Sequence, residues 1–360
     1  MPPKKSKFEI FQEGLAKSYG DRVVKPNVSP DRYDAIPTGS IVLDHALYFG
    51  GWTVGRVHEL VGRPDSAKTL LMINSAVNAQ AKYPDKPVGY VDVEKTFDDA
   101  WAQTNGLDLS RERWTHLKAD HAEHASDMVR KLVFSGLYSM VILDSVGAME
   151  SKKVFEKDAE DPLPGANAQV VSRLCKHVAT LSWQTGTTVL LVNQIRKPIG
   201  KMESDISAGS IIMQHATTTR VQIAQVGGAE SYTSLVMEAG EDAETISKQF
   251  RARVTRSKIF PPGRKAEFWA NNRATEEYGP AGINKIDQYA SMAIRCGYAV
   301  KDGEGSYYRI HGHDKRINGR KAVGDLLRGS EQERKAMDDF LFAKARADAV
   351  AADIASGKPD

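Results

Sequence analysis

A chain of 360 residues with 41% hydrophobic and 26% charged residues is long enough for about two or three domains with at least one large core, and this composition excludes disordered and fibrous classes. The net charge of +3 and isoelectric point near 8.6 permit a polyanionic partner without requiring one, so a basic surface must come from local clustering. Two cysteines, Cys175 and Cys296, exclude a disulfide framework and read as small buried hydrophobes. With no apolar run of about 18 residues and no signal-type N-terminus, the expectation is a cytoplasmic protein without membrane contact.

In chain order, Phe8, Phe11 and Leu15 stand at helical spacing and predict a short amphipathic helix over residues 7–19. A polar, proline-containing connector follows, so this helix either folds back or packs on another molecule. IPTGSIVLDHALYFGGWTVGRV then enters the core, with glycine turns at Gly50, Gly51 and Gly55. The stretch that organises the chain is VHELVGRPDSAKT, Val57 to Thr69. An apolar strand breaks at Gly62, and Arg63, Pro64, Asp65, Ser66 and Ala67 lead Lys68, Thr69 and Leu70 into a helix. Such a loop turns backbone N–H groups onto a triphosphate, while Lys68 reaches the outer phosphates and the Thr69 hydroxyl ligates Mg²⁺. The helix N-terminus adds favourable partial charge. The usual pattern has glycine where this chain has Ala67; if φ is positive there, the Cβ costs about 1–2 kcal/mol.

PVGYVDVEKTFDDAW predicts a buried strand that ends in Asp92 and Glu94, at the edge where open α/β sheets bind ligands. There Glu94 either polarises a water for attack on the γ-phosphate or serves as a surface salt-bridge partner. HAEHASDMVRKLVFSG is an amphipathic helix, and Met140 to Leu143 is an apolar strand that delivers Asp144, as support of a phosphate-bound Mg²⁺ requires. A polar loop with Pro162 and Pro164 precedes a helix in ANAQVVSRLCKHVATLSWQTG. The strand in TTVLLVNQIRKPIG carries Gln194 to the nucleotide edge, where it would sense the γ-phosphate. Beyond it, Arg196, Lys197, Ile199, Lys201 and Met202 mix cations with apolar side chains, which suits a polynucleotide, or else a solvated loop.

TTTRVQIAQVGG, TSLVMEAG and KQFRARVTRSKIF alternate as strands and predict an antiparallel extension of the sheet, with Arg251, Arg253, Arg256 and Lys258 exposed. Past Phe268 a Gly-, Pro- and Asn-containing linker leads to short helices and a tyrosine-rich hairpin, GYAVKDGEGSYYRIHG. The expected boundaries are an N-terminal helix and linker over 1–35, a core over 36–270, a small α+β domain over 271–346, and a fraying tail over 347–360. No solenoid repeat, heptad run or zinc-type spacing is present.

The ordered strings IPTGSIVLDHAL, GGWTVGRVHELVGRPDSAKT, YVDVEKTFDDAW, VILDSVGAM, LLVNQIRKPIG and VTRSKIFPPGRKAEF resemble the RecA family of recombinases, of a phage-encoded, UvsX-like kind. The resemblance implies an α/β fold: a RecA-type P-loop ATPase core with a mostly parallel central sheet, an N-terminal helix and a small C-terminal α+β domain. It implies ATP and Mg²⁺ bound through Lys68, Thr69 and Asp144, with Glu94 positioning the hydrolytic water and Asp98 and Trp101 at the adenine. Gln194 would couple the γ-phosphate to the second DNA loop, and Arg256 and Lys258 would reach a neighbour's ATP. Ser172, Lys176, Arg196, Lys197, Ile199, Gly209 and Ser210 would lie along DNA. Implied partners are single-stranded and double-stranded DNA, further copies in a helical filament with ATP between protomers, and DNA-binding or loader proteins. The implied activity is DNA-dependent ATP hydrolysis with homologous pairing and strand exchange; alternatives are a ring-forming helicase of the same core and a non-hydrolysing filament protein. The chain departs from the family in its acidic loops: Glu203 and Asp205 in the second oppose phosphate binding.

Overall fold

The computed structural model describes residues 6–19, 33–155, 165–196, 206–207, 210–226, 232–235, 244–275, 279–303, 305–314, 316–330, 332–341 and 343–344. The chain forms two compact units, Met1–Tyr33 and Asp34–Asp360.

The first unit holds the helix Lys7–Tyr19, at the span its spacing predicts. Its start is a capping box: Glu9 N–H donates to Ser6 Oγ at 3.2 Å, and Ser6 N–H donates to Glu9 Oε2 at 2.6 Å. Ile10 and Phe11 are 58% and 62% exposed, so within its unit the helix leaves part of its apolar face uncovered.

The second unit is built on one large sheet. From one edge its strands run Gly282–Ile283, Lys265–Asn271, Glu244–Ser257, Thr219–Gln225, Val57–Gly62, Thr188–Arg196, Met140–Asp144, Val88–Asp92 and Trp114–Lys118. The last six are mutually parallel, and the first three pair antiparallel. Alternate residues of each parallel strand face opposite layers. Leu60, Ile142, Leu190 and Val192 pack toward the helix Lys68–Lys82, while Val57, Val141, Leu143, Val189 and Leu191 pack toward the helices Ala122–Ser135 and Ala166–Thr185. Burial on both faces explains why Met140 to Leu143 reads as a continuous apolar run. Cys175 and Cys296 are buried free thiols, as expected.

One strand corrects the sequence expectation. Thr219–Gln225 pairs parallel with Val57–Gly62 and only its other edge meets the antiparallel Glu244–Ser257. The helix Ser210–Ala216 lies in the connection before it, and a crossover of this kind is what a parallel neighbour requires. The antiparallel extension therefore starts one strand later, at Glu244–Ser257, with Tyr232–Leu235 paired on it.

Further along, the helix Lys285–Cys296, a three-stranded antiparallel sheet (Ala299–Lys301, Tyr307–Ile310, Arg316–Asn318) and the helix Arg320–Gly329 follow. The tyrosine-rich stretch forms the expected hairpin, Ala299 opposite Ile310. No described helix is long and apolar enough to cross a membrane.

Candidate functional site

The strand Val57–Gly62 ends where the parallel strands present their C-terminal edge, and the chain turns through 63–67 into the helix Lys68–Lys82. Gly62 is required by space: a Cβ there would stand 2.3 Å from Ser66 Oγ and 2.6 Å from the Ile223 carbonyl oxygen. The loop is closed by Ser66 Oγ, which donates to the Arg63 carbonyl at 2.7 Å. Two of its non-glycine residues lie in the left-handed region, Asp65 at φ 57° and Ala67 at φ 60°, ψ 21°. The loop therefore does demand positive φ at 67, and the alanine bears that strain.

Lys68 Nζ donates to the Arg63 carbonyl at 2.6 Å. Burial lowers its pKa, and Asp144, Glu94 and Asp65 oppose that shift. These three carboxylates are thus the charges that Lys68 feels. Glu94 is held from two sides, its Oε1 accepting from Ser145 Oγ at 2.5 Å and from Gln194 Nε2 at 2.7 Å. Gln194 pairs in register with Gly62, so its side chain starts level with the phosphate loop. Glu94 is half-buried, and among the described residues its side-chain partners are Ser145 and Gln194, with no ion pair.

Asp144 is buried at the end of its strand and accepts from Tyr90 Oη at 3.3 Å. Burial, then the nearby Glu94, raises its pKa to about 7. A cation bound nearby would favour the ionised form of such a carboxylate. With the Thr69 hydroxyl the donors are all oxygen, which fits Mg²⁺ bound largely through phosphate oxygens and water. No cluster of three or more His, Cys, Asp or Glu side chains forms a separate metal cage among the described residues.

A cavity of about 280 Å³ adjoins the loop, lined by Asp65 to Leu70 together with Trp101, Lys248, Phe250 and Asn272. Trp101 thus lines the same cavity as the phosphate loop. Asp98 has a supporting place: its Oδ1 accepts Trp101 N–H at 2.9 Å and caps the helix Asp99–Thr104. Lys248, Phe250, Ala270, Asn271 and Asn272 were not anticipated. Their strands are legible in sequence, but which sheet edge they meet depends on a pairing register nearly two hundred residues from the loop.

Arg256 and Lys258 stand elsewhere. Ala252 is level with Ile223 and Gly62, whereas Ser257 is level with Thr219 and His58. The basic pair therefore sits about four strand residues away, ~13 Å toward the opposite edge of the sheet. Lys258 Nζ donates to the His215 carbonyl, and burial with Arg256 and Arg56 nearby lowers its pKa. Within one chain these cations and the phosphate loop are not brought together.

Of the residues expected along DNA, Ser172 and Lys176 lie one turn apart on the helix Ala166–Thr185, whose inner face buries Val171, Leu174, Cys175 and Val178. Lys176 is exposed. The helix Ser210–Ala216, opened by Ser210, packs beside it, with Cys175 Sγ 3.3 Å from Met213 Sδ. Arg196 ends its strand opposite Ile206. Lys197, Ile199 and Gly209, the loop 156–164 and the tail lie outside the described residues.

A buried polar link was not foreseen either. Glu59 alternates in VHELVG as if to face solvent, yet it is fully buried. Asn193 Nδ2 donates to its Oε1 at 2.9 Å, and Arg220 Nε stands 3.4 Å from its Oε2. Burial raises its pKa, opposed by Arg220 and Asn193.

The profile of the RecA N-terminal domain matches residues 10–271. Protein RecA of Bifidobacterium breve is 29% identical over 337 residues, 92% of this chain and 78% of that protein. Protein RecA of Streptomyces ambofaciens is 28% identical over 320 residues, 88% and 78%, and that of Brucella anthropi 29% over 272 residues, 75% and 70%. A phosphate loop, a paired Glu94 and Gln194, and a mostly parallel sheet ending in Asp144 thus coincide with a family match over most of the chain, and the chain belongs to the RecA family.

Proposed function

We propose that the chain is an ATP-dependent DNA recombinase that assembles as a helical filament on single-stranded DNA and pairs it with homologous duplex. One observation carries this reading: the phosphate loop with Glu94 and Gln194 lies at one edge of the sheet, and Arg256 with Lys258 lies toward the other. A head-to-tail stack of identical chains sets the second group of one protomer against the first group of the next, and such a heterologous contact propagates as an open helix. Two further features support it. The helix Lys7–Tyr19 exposes Ile10 and Phe11, and the core exposes Phe134 and Leu137, 69% and 66%, around the Gly136 turn. Docking of the helix of one protomer on the core of its neighbour would cover both apolar patches. In this scheme the segment 1–35 expected from sequence serves as the docking arm.

In the proposed mechanism the Lys68 ammonium binds the β- and γ-phosphates, and the Thr69 hydroxyl and Asp144 would hold Mg²⁺. Bound Mg²⁺ neutralises the triphosphate. Glu94 accepts a proton from the attacking water as an O–P bond forms at the γ-phosphorus and the bond to the β-bridging oxygen breaks. Arg256 and Lys258 of the neighbour stabilise the charge that develops on the transferred group. Gln194 has two competing acceptors: Glu94, as in this structure, or the γ-phosphate. When Gln194 turns to the phosphate, Glu94 is released to the water and the strand 188–196 passes the change to the loop beyond Arg196. Trp101 stacks on the base and Asp98 fixes Trp101. Ser172, Lys176, Arg196, Lys197, Ile199 and the backbone near Gly209 and Ser210 follow the DNA strand.

The test is strand exchange with ATP. Product from a homologous duplex and none from a heterologous one is expected. Unwinding of a forked duplex at substoichiometric protein, without pairing, would replace this reading with a helicase, and DNA binding without DNA-stimulated phosphate release would replace it with a scaffold.

A further inference from the structure

A second groove lies away from the nucleotide, beside the outer edge of the strand Lys265–Asn271. Its cavity is about 500 Å³, floored by Val42, Phe268 and Met292 and rimmed by Lys265, Arg295 and Arg320. A further space of about 190 Å³ continues it past Arg264, sharing Val42, Lys265, Met292 and Arg295. Arg264 is held in place, its guanidinium 4.0 Å from the Tyr48 ring centroid and bonded to the His45 carbonyl at 3.3 Å. Among the described residues lining the groove the one carboxylate, Glu267, is taken by Arg251 at 2.6 Å. No carboxylate pairs with Lys265, Arg295 or Arg320 among the described residues.

The backbone beside this groove is incomplete as a sheet. Gly282–Ile283 pairs with the strand only at Asn271 and Ala270, and Asn284 N–H reaches the Trp269 carbonyl at 2.9 Å. From Phe268 back to Lys265 the edge has no strand partner among the described residues. An open edge, an apolar floor and a cationic rim are the three elements of recognition by strand addition, where backbone bonds supply affinity and alternate side chains supply specificity.

We propose that this groove binds an extended acidic segment of a partner protein, which adds as a strand beside Lys265–Phe268. Alternate apolar side chains of that segment enter the floor at Val42, Phe268 and Met292. The intervening carboxylates meet Lys265, Arg295 and Arg320. A nucleic-acid strand fits less well, because its backbone leaves the apolar floor unused and brings phosphates past Glu267. The site is independent of ATP chemistry, since none of its residues lines the phosphate-loop cavity.

The experiment uses the full chain and a fluorescein-labelled peptide of about ten residues in which aspartate alternates with valine or isoleucine. Fluorescence anisotropy is expected to show saturable binding, weakened about tenfold or more in the exposed double variant Arg295→Glu, Arg320→Glu. Its far-UV circular dichroism and ATP turnover should match wild type. A peptide N-methylated on the alternate amides that would face the strand is expected to lose a comparable factor, which separates strand addition from charge attraction alone. Absence of binding, equal binding by the double variant, or full binding of the N-methylated peptide overturns the proposal. Displacement of the peptide from wild type by an oligothymidylate of equal charge assigns the groove to nucleic acid and overturns it as well.

Discussion

Replacing Ala67 by glycine should stabilise the protein. The residue sits at φ 60°, ψ 21° immediately before Lys68 and makes no side-chain capping bond to the helix it precedes. Its Cβ therefore adds strain at the loop, and its packing against the main apolar cluster offsets only part of that. Left-handed geometry costs an L-residue about 1–2 kcal/mol, and glycine returns about 0.5–1 kcal/mol of that through the extra freedom of the unfolded chain. The balance is a gain of up to about 1 kcal/mol. A β-branched side chain is stiffer still at such a φ, so Ala67→Val should move the other way. Urea unfolding of the ligand-free protein reads both: the midpoint rises for glycine and falls for valine, at constant slope. A midpoint for Ala67→Gly at or below wild type would refute the reasoning, because the strain assigned to the alanine would then be absent.

Glu94→Gln should keep nucleotide-dependent assembly and lose about two to four orders of magnitude in turnover, measured by phosphate release and by filament length; unchanged turnover removes Glu94 from the reaction. Neither Lys68→Ala nor Arg256→Ala alone should hydrolyse ATP. An equal mixture should recover turnover, since about a quarter of random head-to-tail joints unite an intact Lys68 with an intact Arg256; no recovery would place both groups in one chain's site. Asp144 has its pKa raised to about 7 from a reference near 3.8. The folded state thus holds the proton more tightly, and this group's contribution to stability is complete below about pH 3.8 and lost as pH rises through about 7. Comparing urea midpoints of wild type and Asp144→Asn between pH 5 and 8 should show the variant's advantage grow with pH; parallel profiles would count against a perturbed carboxyl.

Legibility followed the range over which each signal acts. The phosphate loop, the helix Lys7–Tyr19 and the strand Met140–Asp144 are local patterns, and each folds where the sequence puts it. The Ser6 to Glu9 capping box was equally local and passed unused. Strand direction was not legible at Thr219–Gln225, because TRVQIAQ alternates buried and half-buried positions and a period of two is the same for either direction. Glu59 was hidden for a related reason. Alternation assigns a face, and in a sheet covered on both faces each one is interior, so a charge survives there only with partners such as Asn193 and Arg220. The part of the loop cavity's lining that includes Lys248 and Asn272 rests on register between remote strands, which no short window contains.

The division of the site across the sheet has a thermodynamic consequence. If Arg256 and Lys258 acted within their own chain, nucleotide binding would be a property of the monomer, and filament growth would gain nothing from ATP. Since they stand about four residues along the strand from the level of Gly62, the proposed filament would have a triphosphate bound at one protomer present uncompensated charge to the next, and joining the two would relieve it. By linkage, what tightens the joint must tighten the nucleotide equally. On the proposed mechanism Gln194, which here donates to Glu94, would exchange that acceptor for the γ-phosphate, so that assembly, nucleotide state and the strand leading to Arg196 would be coupled through one amide side chain. A Gln194→Ala chain would then bind ATP and hold Glu94 by Ser145 alone, yet its affinity for single-stranded DNA, measured by anisotropy with and without nucleotide, should no longer respond to the nucleotide.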